Sequence, residues 1–488
     1  MKKLKDILHK VSVNQVFGVT DIEINNLVFD SRKIEQNDVF FAQKGYTVDG
    51  HLYINKAIEL GATVIICQEL PQDIKTGITY LQVAAVDTCL AIMAANFYEN
   101  PSSKMRLIGI TGTNGKTTIA SLLYQLFKKA GYKVGLLSTV KILVDDQEHK
   151  ATHTTPDSLS INYYLNKMID AGVGYCFMEV SSHGIHQKRT QGLDFDGGIF
   201  TNITHDHLDY HETFSEYRDV KKSFFDALPS SAFALTNIDD KNGNFMLQNT
   251  KAKKKTYALK GIADYKTKVL EKQFSGTLLK MNTTEVWVKL IGQFNASNMT
   301  AIFAVAELLG LEKFEILTMM SQLENVSGRF ETIISEEGVI AIVDYAHTPD
   351  ALKNVLETIN EIRKGSEKLI TVVGCGGDRD KGKRPKMAHI ASQLSSQAIL
   401  TSDNPRTENS QTIIDEMEVG ITSENYKKTL SILDRRQAIK TACKFSNRGD
   451  ILLIAGKGHE NYQEINGVRS HFDDLEEVKN CFNQLKNK

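Results

Sequence analysis

The sequence predicts an α/β protein of three domains: a small α/β N-terminal domain, a central P-loop parallel-sheet domain and a Rossmann-like C-terminal domain. At 488 residues the chain is too long for one hydrophobic core, and a prior of about 150 residues per domain gives about three. A strand, a glycine-rich loop, a helix and a second strand follow one another at 105–139. Four apolar strand candidates alternate with helical segments in the last third. We expect domains at 1–100, 101–328 and 329–488.

The bulk composition is ordinary for a soluble globular protein, with 41% hydrophobic and 24% charged residues. The formal net charge is -1, so no overall basic field draws the chain to nucleic acid or anionic lipid. The 6 cysteines show neither CxxC pairs nor zinc spacing, which indicates reduced thiols. No segment has the apolar length of a signal peptide or a membrane span. We expect a cytoplasmic protein that binds neither nucleic acid nor membrane.

The first hundred residues mix short strands and helices. DVFFAQ (38–43) predicts a strand, and YINKAIELGATVIICQ (53–68) predicts a helix, a glycine stop and a buried strand. NFYENPSSKM (96–105) is polar and rich in turn-forming residues. The first domain boundary is therefore expected there.

The clearest supersecondary signal follows this boundary. MRLIGI (105–110) predicts a short strand, and YKVGLLST (132–139) predicts a second. Between them, four apolar residues recur at helical spacing, namely Ile119, Leu122, Leu123 and Leu126. Gly131 is a typical stop for that helix. The resulting βαβ unit predicts a parallel sheet.

The third region starts near NVSGRFETI (325–333) and contains four strand candidates separated by helical segments. These are GVIAIVDYA (338–346), KLITVVG (368–374), QAILTS (397–402) and GDILLIAG (449–456). Alternating strands and helices again predict a doubly wound parallel sheet.

The loop Thr111–Thr118, with the sequence TGTNGKTT, joins the first strand of the βαβ unit to its helix. Backbone N–H groups in a glycine-rich turn, the positive end of a helix and the ammonium of Lys116 together neutralise phosphate charge, and Thr117 can place its hydroxyl on Mg²⁺. Ile110 occupies the first glycine position of the strict P-loop pattern, so an ordinary βα turn is the alternative. The combined pattern favours a nucleotide-phosphate site.

Acidic and histidine residues follow two later strands of the same region. CFMEVSSHGIHQKR (176–189) places Glu179 at a strand end, and GGIFTNITHDHLDYH (197–211) ends with His207 among other polar residues. Because ligands gather beyond the carboxyl ends of strands in open α/β sheets, Glu179 and His207 should reach the volume near Lys116. The hypothesis is a Mg²⁺ site, which needs few protein ligands. A solvated helix start and a zinc site are the alternatives.

Taken together, these residues resemble the Mur ligase family of peptidoglycan precursor synthesis. The motifs that carry the resemblance occur in the expected order along nearly the whole chain: TGTNGKTT, EVSSHG, TNITHDHLDYH, GRFE, DYAHTPD, GCGGDRDKGKRP, DNPR and AGKGHE. The chain is most similar to the members that add meso-2,6-diaminopimelate to UDP-N-acetylmuramoyl-L-alanyl-D-glutamate. The resemblance implies a uridine-nucleotide domain, a central ATP-binding ATPase domain and a third domain that carries the amino acid.

The family chemistry implies that ATP and Mg²⁺ convert the D-glutamyl γ-carboxylate into an acyl phosphate, from which the amine of the incoming amino acid displaces phosphate. A carboxylate is a poor acylating agent, whereas an acyl phosphate has a good leaving group. The protein then mainly positions groups and neutralises charge. The partners implied are the two substrates, and we expect a monomer.

The resemblance also implies roles for individual residues. The residues expected at the ATP phosphates and adenosine are Gly112, Thr113, Asn114, Gly115, Lys116, Thr117, Thr118, Asn298, Arg329, Asp344, Tyr345 and His347. The residues expected at the uridine nucleotide and muramoyl dipeptide are Ser31, Tyr46, Thr47, Val48, His153, Thr154, Thr155, Ser181, Gln187 and Arg189. The expected metal ligands are Thr117, Glu179, His207 and Lys221, and the expected catalytic residues are Lys116, His207, Lys221 and Arg329.

Two of these roles have specific physical consequences. The KKSFF segment resembles the one whose lysine is carbamylated in this family, which favours Lys221 over Lys222; the carbamate would be an anion able to hold a second Mg²⁺. Arg329 would arrive with the third domain and stabilise phosphoryl transfer as an arginine finger does. Without the resemblance, Lys221 would be taken for a surface lysine; for Arg329, a linker residue is the alternative.

The tetrad Asp403-Asn404-Pro405-Arg406 resembles the diaminopimelate-specific form of its motif. Arg406 offers a planar fork for the second carboxylate of diaminopimelate, and Asp403 or Glu460 can receive the distal ammonium. Lysine lacks that carboxylate and would leave the arginine unpaired, which discriminates strongly. Arg379, Gly456 and Glu460 complete the expected pocket. The alternative is that Asn-Pro merely forms a turn.

Two other functions use some of the same features. A ligase similar to folylpolyglutamate synthase would share the phosphate loop but should lack the first domain and the DNPR tetrad. A P-loop switch protein would bind nucleotide without needing an amino-acid substrate. Phosphate release measured with and without both substrates separates the three.

Overall fold

The computed structural model describes residues 2–45, 48–204 and 210–486. Within these residues the chain forms three main sheets of five, eleven and six strands, in that order along the chain. This agrees with the predicted three-domain α/β fold, whereas the boundaries after residues 100 and 328 stay predictions. Among the described residues, none of the helices combines the length and the apolar character that crossing a lipid bilayer requires.

The first sheet has the strand order β2-β7-β6-β5-β4, and all its pairings are parallel except β2 with β7. The predicted strand, helix and buried strand all form. The elements of this region are β1 Lys2–Lys3, α1 Leu4–Ile7, β2 Gln15–Phe17, β3 Glu23–Ile24, β4 Leu27–Val28, β5 Val39–Phe41, α2 Ile54–Glu59, β6 Val64–Cys67, β7 Thr79–Gln82 and α3 Val86–Phe97.

The central sheet has the order β11-β10-β9-β12-β8-β13-β14-β15-β16-β17-β18. Its middle, from β9 to β16, is parallel, and antiparallel hairpins extend it at both margins. The elements are β8 Arg106–Thr111, α4 Lys116–Lys129, β9 Val134–Leu137, β10 Lys141–Val144, β11 Gln147–Lys150, α5 Ser158–Asp170, β12 Tyr175–Glu179, α6 Ser182–His186, β13 Gly197–Phe200, α7 Phe214–Asp226, β14 Phe233–Asn237, α8 Gly243–Met246, β15 Lys253–Ala258, β16 Tyr265–Gln273, β17 Gly276–Met281, β18 Thr284–Val288, α9 Gln293–Leu308 and α10 Lys313–Met320.

Helix α4 confirms the periodicity argument. Ile119, Leu122, Leu123 and Leu126 are all fully buried in the core that α4 shares with the central sheet. Burying one such side chain stabilises the fold by roughly 1.5–3 kcal/mol. This apolar face holds the N-terminus of α4, and with it the phosphate loop, at the carboxyl ends of β8 and β13.

The third sheet has the order β19-β20-β24-β21-β22-β23, and only its edge strand β19 is antiparallel among the described pairings. All four predicted strands form. The elements are β19 Glu331–Ile334, β20 Ile340–Asp344, α11 Pro349–Ile362, β21 Leu369–Cys375, α12 Lys383–Leu394, β22 Gln397–Ser402, α13 Ser410–Glu418, β23 Thr429–Ser431, α14 Arg435–Phe445, β24 Ile451–Ala455, β25 Tyr462–Ile465, β26 Val468–His471 and α15 Asp474–Lys486.

A buried ion pair fastens α15 to the third sheet. Arg435 and Asp474 are both buried, and two guanidinium nitrogens donate to the carboxylate at 2.8 and 2.6 Å. Arg435 also donates to the carbonyl of Ala455 at 3.1 Å, at the end of β24. The pair therefore links the C-terminal helix to the strand end that precedes Gly456.

Removing one partner of this pair should destabilise the third domain strongly. We expect Asp474→Ala to lower the free energy of unfolding by about 3–5 kcal/mol, because it leaves an uncompensated buried guanidinium. Chemical denaturation measures the change. The matched control is Glu477→Ala, which removes a pair with the largely exposed Arg436 and should cost about 1 kcal/mol or less. Equal effects of the two variants would contradict this account.

Candidate active site

Two glycines give the phosphate loop its shape. Gly112 and Gly115 have φ angles of 149° and 90°, which favour glycine. A side chain at Gly112 would collide with the hydroxyl of Thr201, and one at Gly115 would lie 2.7 Å from Oδ1 of Asn298. The loop is thus packed directly against the end of β13 and against α9.

Asn202 fastens the loop from the neighbouring strand end. Its Oδ1 accepts from the backbone N–H of Asn114 at 2.9 Å, and its Nδ2 donates to the carbonyl of Asn114 at 3.2 Å. The ammonium of Lys116 donates to the carbonyls of Gly112 and Thr113 at 2.9 and 2.8 Å. The cation, the helix N-terminus and the loop N–H groups therefore converge on one volume, as predicted.

Glu179 lies beside the loop. It is fully buried at the end of β12, which lies between β8 and β9 in the sheet. Its carboxylate accepts from the hydroxyl of Thr117 at 3.0 Å and from the backbone N–H of Thr139 at 2.8 Å. The predicted proximity of Glu179 to the loop is thus observed. His207, the other predicted metal ligand of this cluster, lies outside the described residues.

The neighbouring lysines of α7 have different surroundings. Lys221 is buried, and its ammonium donates to the carbonyl of Gly112 at 3.0 Å and lies 4.6 Å from the ring centroid of Tyr217. Lys222 points away and binds both carboxylate oxygens of Asp226 at 2.7 Å. The lysine that reaches the phosphate loop is Lys221.

The residues expected at the muramoyl dipeptide form one hydrogen-bonded network next to Glu179. Thr155 donates to the carbonyl of Glu179 at 2.8 Å, and its hydroxyl oxygen lies 3.0 Å from that of Ser181. Arg189 donates to the carbonyl of Thr155 at 2.6 Å and to Oε1 of Gln187 at 3.0 Å. The structure therefore brings these side chains together.

The two residues that precede this network lie beside it. The hydroxyl of Thr154 is 3.1 Å from that of Thr139, which also contacts Glu179. Burial lowers the pKa of His153, and the positive charge of Arg189 lowers it further.

The predicted uridine-nucleotide residues follow adjacent strands of the first sheet. Ser31 comes after β4 and Val48 after β5, and these strands are parallel neighbours. Their carboxyl ends therefore lie side by side, where α/β sheets bind ligands. Ser31 is nearly buried, whereas Val48 is exposed. Tyr46 and Thr47 lie outside the described residues.

A cavity of about 320 Å³ opens between the phosphate loop and the third domain. Its size is within the usual range for small-molecule sites. Its wall includes half of the twelve residues predicted at the nucleotide, namely Asn114, Gly115, Thr118, Asn298, Arg329 and Asp344.

Arg329 belongs to the third domain, and its side chain reaches the phosphate loop. One guanidinium nitrogen donates to the hydroxyl of Thr117 at 3.3 Å, and the group stacks on the ring of Tyr345 at 4.5 Å. Burial raises the pKa of Asp344 to about 6, although Arg329 and the backbone N–H of Phe330 act in the opposite direction. The predicted approach of Arg329 to the phosphate site is present.

A second cavity, of about 440 Å³, adjoins the first. Thr154 and His183 of the central domain face residues of the third domain across it. The predicted amino-acid residues in its wall are Arg379, Asp403, Asn404, Arg406, Gly456 and Glu460. Tyr345 and His347, which were expected at the ATP phosphates and adenosine, line this second cavity instead of the first. The reason is that the chain leaves the wall of the first cavity after Asp344. Pro405 is buried and is not part of the described wall.

The hairpin β25–β26 clamps the backbone of Arg406. Arg406 has a φ angle of 52°, its N–H donates to the carbonyl of Glu464 at 3.0 Å, and its carbonyl accepts from Asn466 at 2.6 Å. Its guanidinium donates to the carbonyl of Gly377 at 2.6 Å. The tetrad lies at the carboxyl end of β22, which pairs with β23 on its outer side.

Among the residues of the site without a predicted role, Thr139, Asn202 and Lys457 hold predicted residues in place. Asn202 and Lys457 belong to the TNITHDHLDYH and AGKGHE motifs, so the motifs themselves were the available signal. Thr139 follows β9 and had no such signal. Lys457 is fully buried among Asp403, Asn404 and Glu460.

Family models match most of the chain. The Mur ligase family, catalytic domain, matches residues 23–98; the Mur ligase middle domain matches 110–306; and the Mur ligase, glutamate ligase domain, matches 328–458.

Individual proteins match over nearly the whole length. A Bacteroides fragilis protein named UDP-N-acetylmuramoyl-L-alanyl-D-glutamate–2,6-diaminopimelate ligase is 54% identical over 98% of this chain and 99% of its own. A solved structure of a ligase with the same name is 31% identical, with a TM-score of 0.70 and complete coverage of both chains. A folylpolyglutamate synthase of Mycobacterium tuberculosis shares the fold at 16% identity and a TM-score of 0.60, but covers 75% of this chain and 91% of its own. By sequence, by domain content and by the site just described, the chain belongs to the Mur ligase family.

Proposed function

We propose that this protein joins meso-2,6-diaminopimelate to UDP-N-acetylmuramoyl-L-alanyl-D-glutamate, with conversion of ATP into ADP and phosphate. The observation that carries the proposal is the adjacency of two cavities of different chemistry. Asp344 lines the cavity at the phosphate loop, and the next residue, Tyr345, lines the cavity that contains Arg406. A phosphorylated carboxylate formed at the first site is therefore within reach of an amine held at the second.

ATP occupies the first cavity with its phosphates on the loop Gly112–Thr118. The loop N–H groups, the N-terminus of α4 and Lys116 neutralise the phosphate charge. Asn298 and Asp344 line the same cavity and contact the adenosine. Arg329, held over Tyr345, approaches from the third domain and stabilises the charge of the transferring phosphoryl group.

The donor set beside the loop fits Mg²⁺. The hydroxyl of Thr117 and the carboxylate of Glu179 are hard oxygen ligands, and they lie 3.0 Å apart. These two side chains, with His207 and Lys221 as further predicted ligands, would hold the ion. When bound, Mg²⁺ supplies charge neutralisation on the phosphate oxygens. Thr139 keeps the Glu179 carboxylate in place through two hydrogen bonds.

The reaction proceeds in two displacements. A γ-carboxylate oxygen of the D-glutamyl residue attacks the γ-phosphorus, the bond to the bridging oxygen breaks and ADP leaves. The amine nitrogen then attacks the acyl carbon, phosphate leaves and the amine loses a proton. The network of Thr155, Ser181, Gln187 and Arg189 positions the muramoyl dipeptide, and residues after β4 and β5, among them Ser31, Tyr46, Thr47 and Val48, hold its uridine nucleotide.

The second cavity selects the amino acid. Arg406 pairs with the distal carboxylate of diaminopimelate, and Asp403 and Glu460 receive the distal ammonium. Arg379 and Gly456 complete the wall. We further propose that the protein acts as a cytoplasmic monomer, in line with 6 cysteines that are all free and buried.

Ligation with both amino acids in competition tests the function. Purified protein is supplied with ATP, Mg²⁺, the muramoyl dipeptide substrate, diaminopimelate and lysine, and phosphate and tripeptide products are measured. We expect phosphate release only with the dipeptide substrate and an amino acid present, and a product that contains diaminopimelate. ATP turnover that ignores both substrates would contradict the proposal and favour a P-loop switch.

The two lysines of α7 provide a matched pair for the carbamylation proposal. We expect Lys221→Ala to lower kcat by about 100-fold, because an anion that holds metal next to the loop is lost. Lys222→Ala removes a pair with Asp226 and a contact with the ring of Phe245, both away from the loop, and should change kcat by about twofold or less. Mass spectrometry of the native protein should find added CO₂ on Lys221. Equal losses in the two variants would contradict the assignment.

A further inference from the structure

Lys457 is a buried cation directly behind the wall of the amino-acid cavity, which its neighbours Gly456 and Glu460 line. It follows Gly456 at the carboxyl end of β24 and has no exposed surface. Its ammonium donates to Oδ1 of Asn404 at 3.1 Å and lies 3.6 Å from a carboxylate oxygen of both Asp403 and Glu460. These three neighbours all line the amino-acid cavity. The contacts of Lys457 therefore belong to the cavity and not to the hydrophobic core of the domain.

The orientation of the Asn404 amide depends on this arrangement. Its Oδ1 also accepts from the backbone N–H of Glu464 at 2.9 Å, and its Nδ2 donates to the carboxylate of Glu460 at 2.7 Å. Because a backbone N–H and an ammonium can only donate, the amide oxygen must face Glu464 and Lys457. The amide nitrogen therefore faces Glu460.

The cluster around Lys457 carries unequal numbers of charges. Asp403 and Glu460 carry two negative charges, and Lys457 supplies one positive charge between them. Other cations, among them Arg379 and Arg406, also line the cavity but are not part of this cluster. Within the cluster itself, one negative charge is left for an incoming ammonium to neutralise.

The pKa shifts agree with this geometry. Burial raises the pKa of Asp403, but Lys457 and Arg435 outweigh it and hold the pKa below its ordinary value. Burial, followed by the charge of Asp403, raises the pKa of Glu460, and Lys457 acts in the opposite direction.

We propose that Lys457 is a positioning residue for the amino-acid substrate, whose ammonium holds Asp403, Asn404 and Glu460 in the arrangement that receives the distal ammonium of the substrate. The proposal rests on the proposed function. It assigns Lys457 to binding of the amino acid, and not to binding of ATP or the muramoyl dipeptide. It also implies that Lys457 contributes to the selection of an amino acid whose side chain carries both an ammonium and a carboxylate.

The variant K457M tests this role through separate KM values. We expect the KM for diaminopimelate to rise at least about tenfold, while the KM values for ATP and for the muramoyl dipeptide substrate change by about twofold or less. K428M is the matched control, because Lys428 is a half-buried lysine of the same domain that donates to the carbonyl of Ser395 outside the pocket. K428M should leave all three KM values unchanged.

The pH profile provides a readout that a purely structural role would not move. Glu460 faces Asp403, Asn404 and Lys457, and its pKa also responds to Arg406, while its other oxygen accepts from the hydroxyl of Tyr345 at 3.4 Å. Glu460 receives an ammonium only when ionised, and Lys457 lowers its pKa. Removing the lysine therefore raises that pKa, and the acid limb of kcat/KM for diaminopimelate should shift to higher pH. D403N in the K457M background removes one negative charge and should shift the limb back.

Each possible result either supports or contradicts the role of Lys457. An unchanged KM for diaminopimelate in folded K457M, or an equal rise of all three KM values, overturns the role of Lys457. If thermal unfolding shows that K457M does not fold, the smaller polar variant K457Q, which also removes the charge, gives the comparison: a normal KM for diaminopimelate there overturns the proposal. Absence of diaminopimelate-dependent phosphate release in the unaltered protein would instead overturn the proposed function.

Discussion

Replacing Lys116 by alanine should lower kcat for ATP turnover by at least about 1,000-fold, with the fold retained. The ammonium is held at the mouth of the loop by the carbonyls of Gly112 and Thr113. Its removal takes away the cation that stabilises charge on the transferring phosphoryl group. Phosphate release with all substrates at saturation measures the effect.

The control for this variant lies on the same helix. Lys129→Ala removes an exposed lysine at the C-terminal end of α4 and should change kcat by about twofold or less. Circular dichroism of both variants should match that of the unaltered protein. Near-normal turnover in Lys116→Ala would contradict the placement of the ATP phosphates on this loop.

Replacing Arg406 by alanine should remove the preference for diaminopimelate over lysine. We expect a loss of about 2–5 kcal/mol, the usual cost of truncating one partner of a buried charge pair, which corresponds to about 30-fold to several thousand-fold in the ratio of kcat/KM values. The guanidinium is positioned for this role by its hydrogen bond to the carbonyl of Gly377 and by the clamp of its backbone between Glu464 and Asn466.

Arg469→Ala is the matched control for Arg406→Ala. Arg469 lies on β26, is largely exposed and binds Glu464, so its loss should leave the selectivity within about twofold. The ratio of kcat/KM for the two amino acids is measured in competition at fixed ATP. A ratio that Arg406→Ala leaves unchanged would show that another group recognises the distal carboxylate.

The local elements of this fold were predictable because their signals lie within short windows. Helix α4 follows from four apolar residues at helical spacing, and the strands β20, β21, β22 and β24 follow from apolar runs bounded by glycine and polar residues. The order of strands was not predictable, since β12 inserts between β8 and β9 although it follows both in sequence. The antiparallel margins were missed for the same reason: hydrophobic periodicity does not identify a pairing partner.

The residues of the candidate site were likewise predictable only in part. Glu179 near the loop followed from one rule, that parallel strands present their carboxyl ends at the same edge. The choice of Lys221 over Lys222, however, rested on resemblance until the structure placed one ammonium on the carbonyl of Gly112 and the other on Asp226. Adjacent residues on one helix point about 100° apart. The sequence alone therefore does not show which of the two lysines faces the loop.

By itself the sequence determined the phosphate loop, the amphipathic helix behind it and the motifs that place the chain in its family, because each depends on residues close together along the chain. Tertiary structure alone decided that Arg329 reaches Thr117, that Asp344 and Tyr345 line two different cavities and that Lys457 is enclosed by Asp403 and Glu460. These contacts join residues of different strand ends and domains. Their geometry is set by sheet order and packing, which arise only when the whole chain is folded.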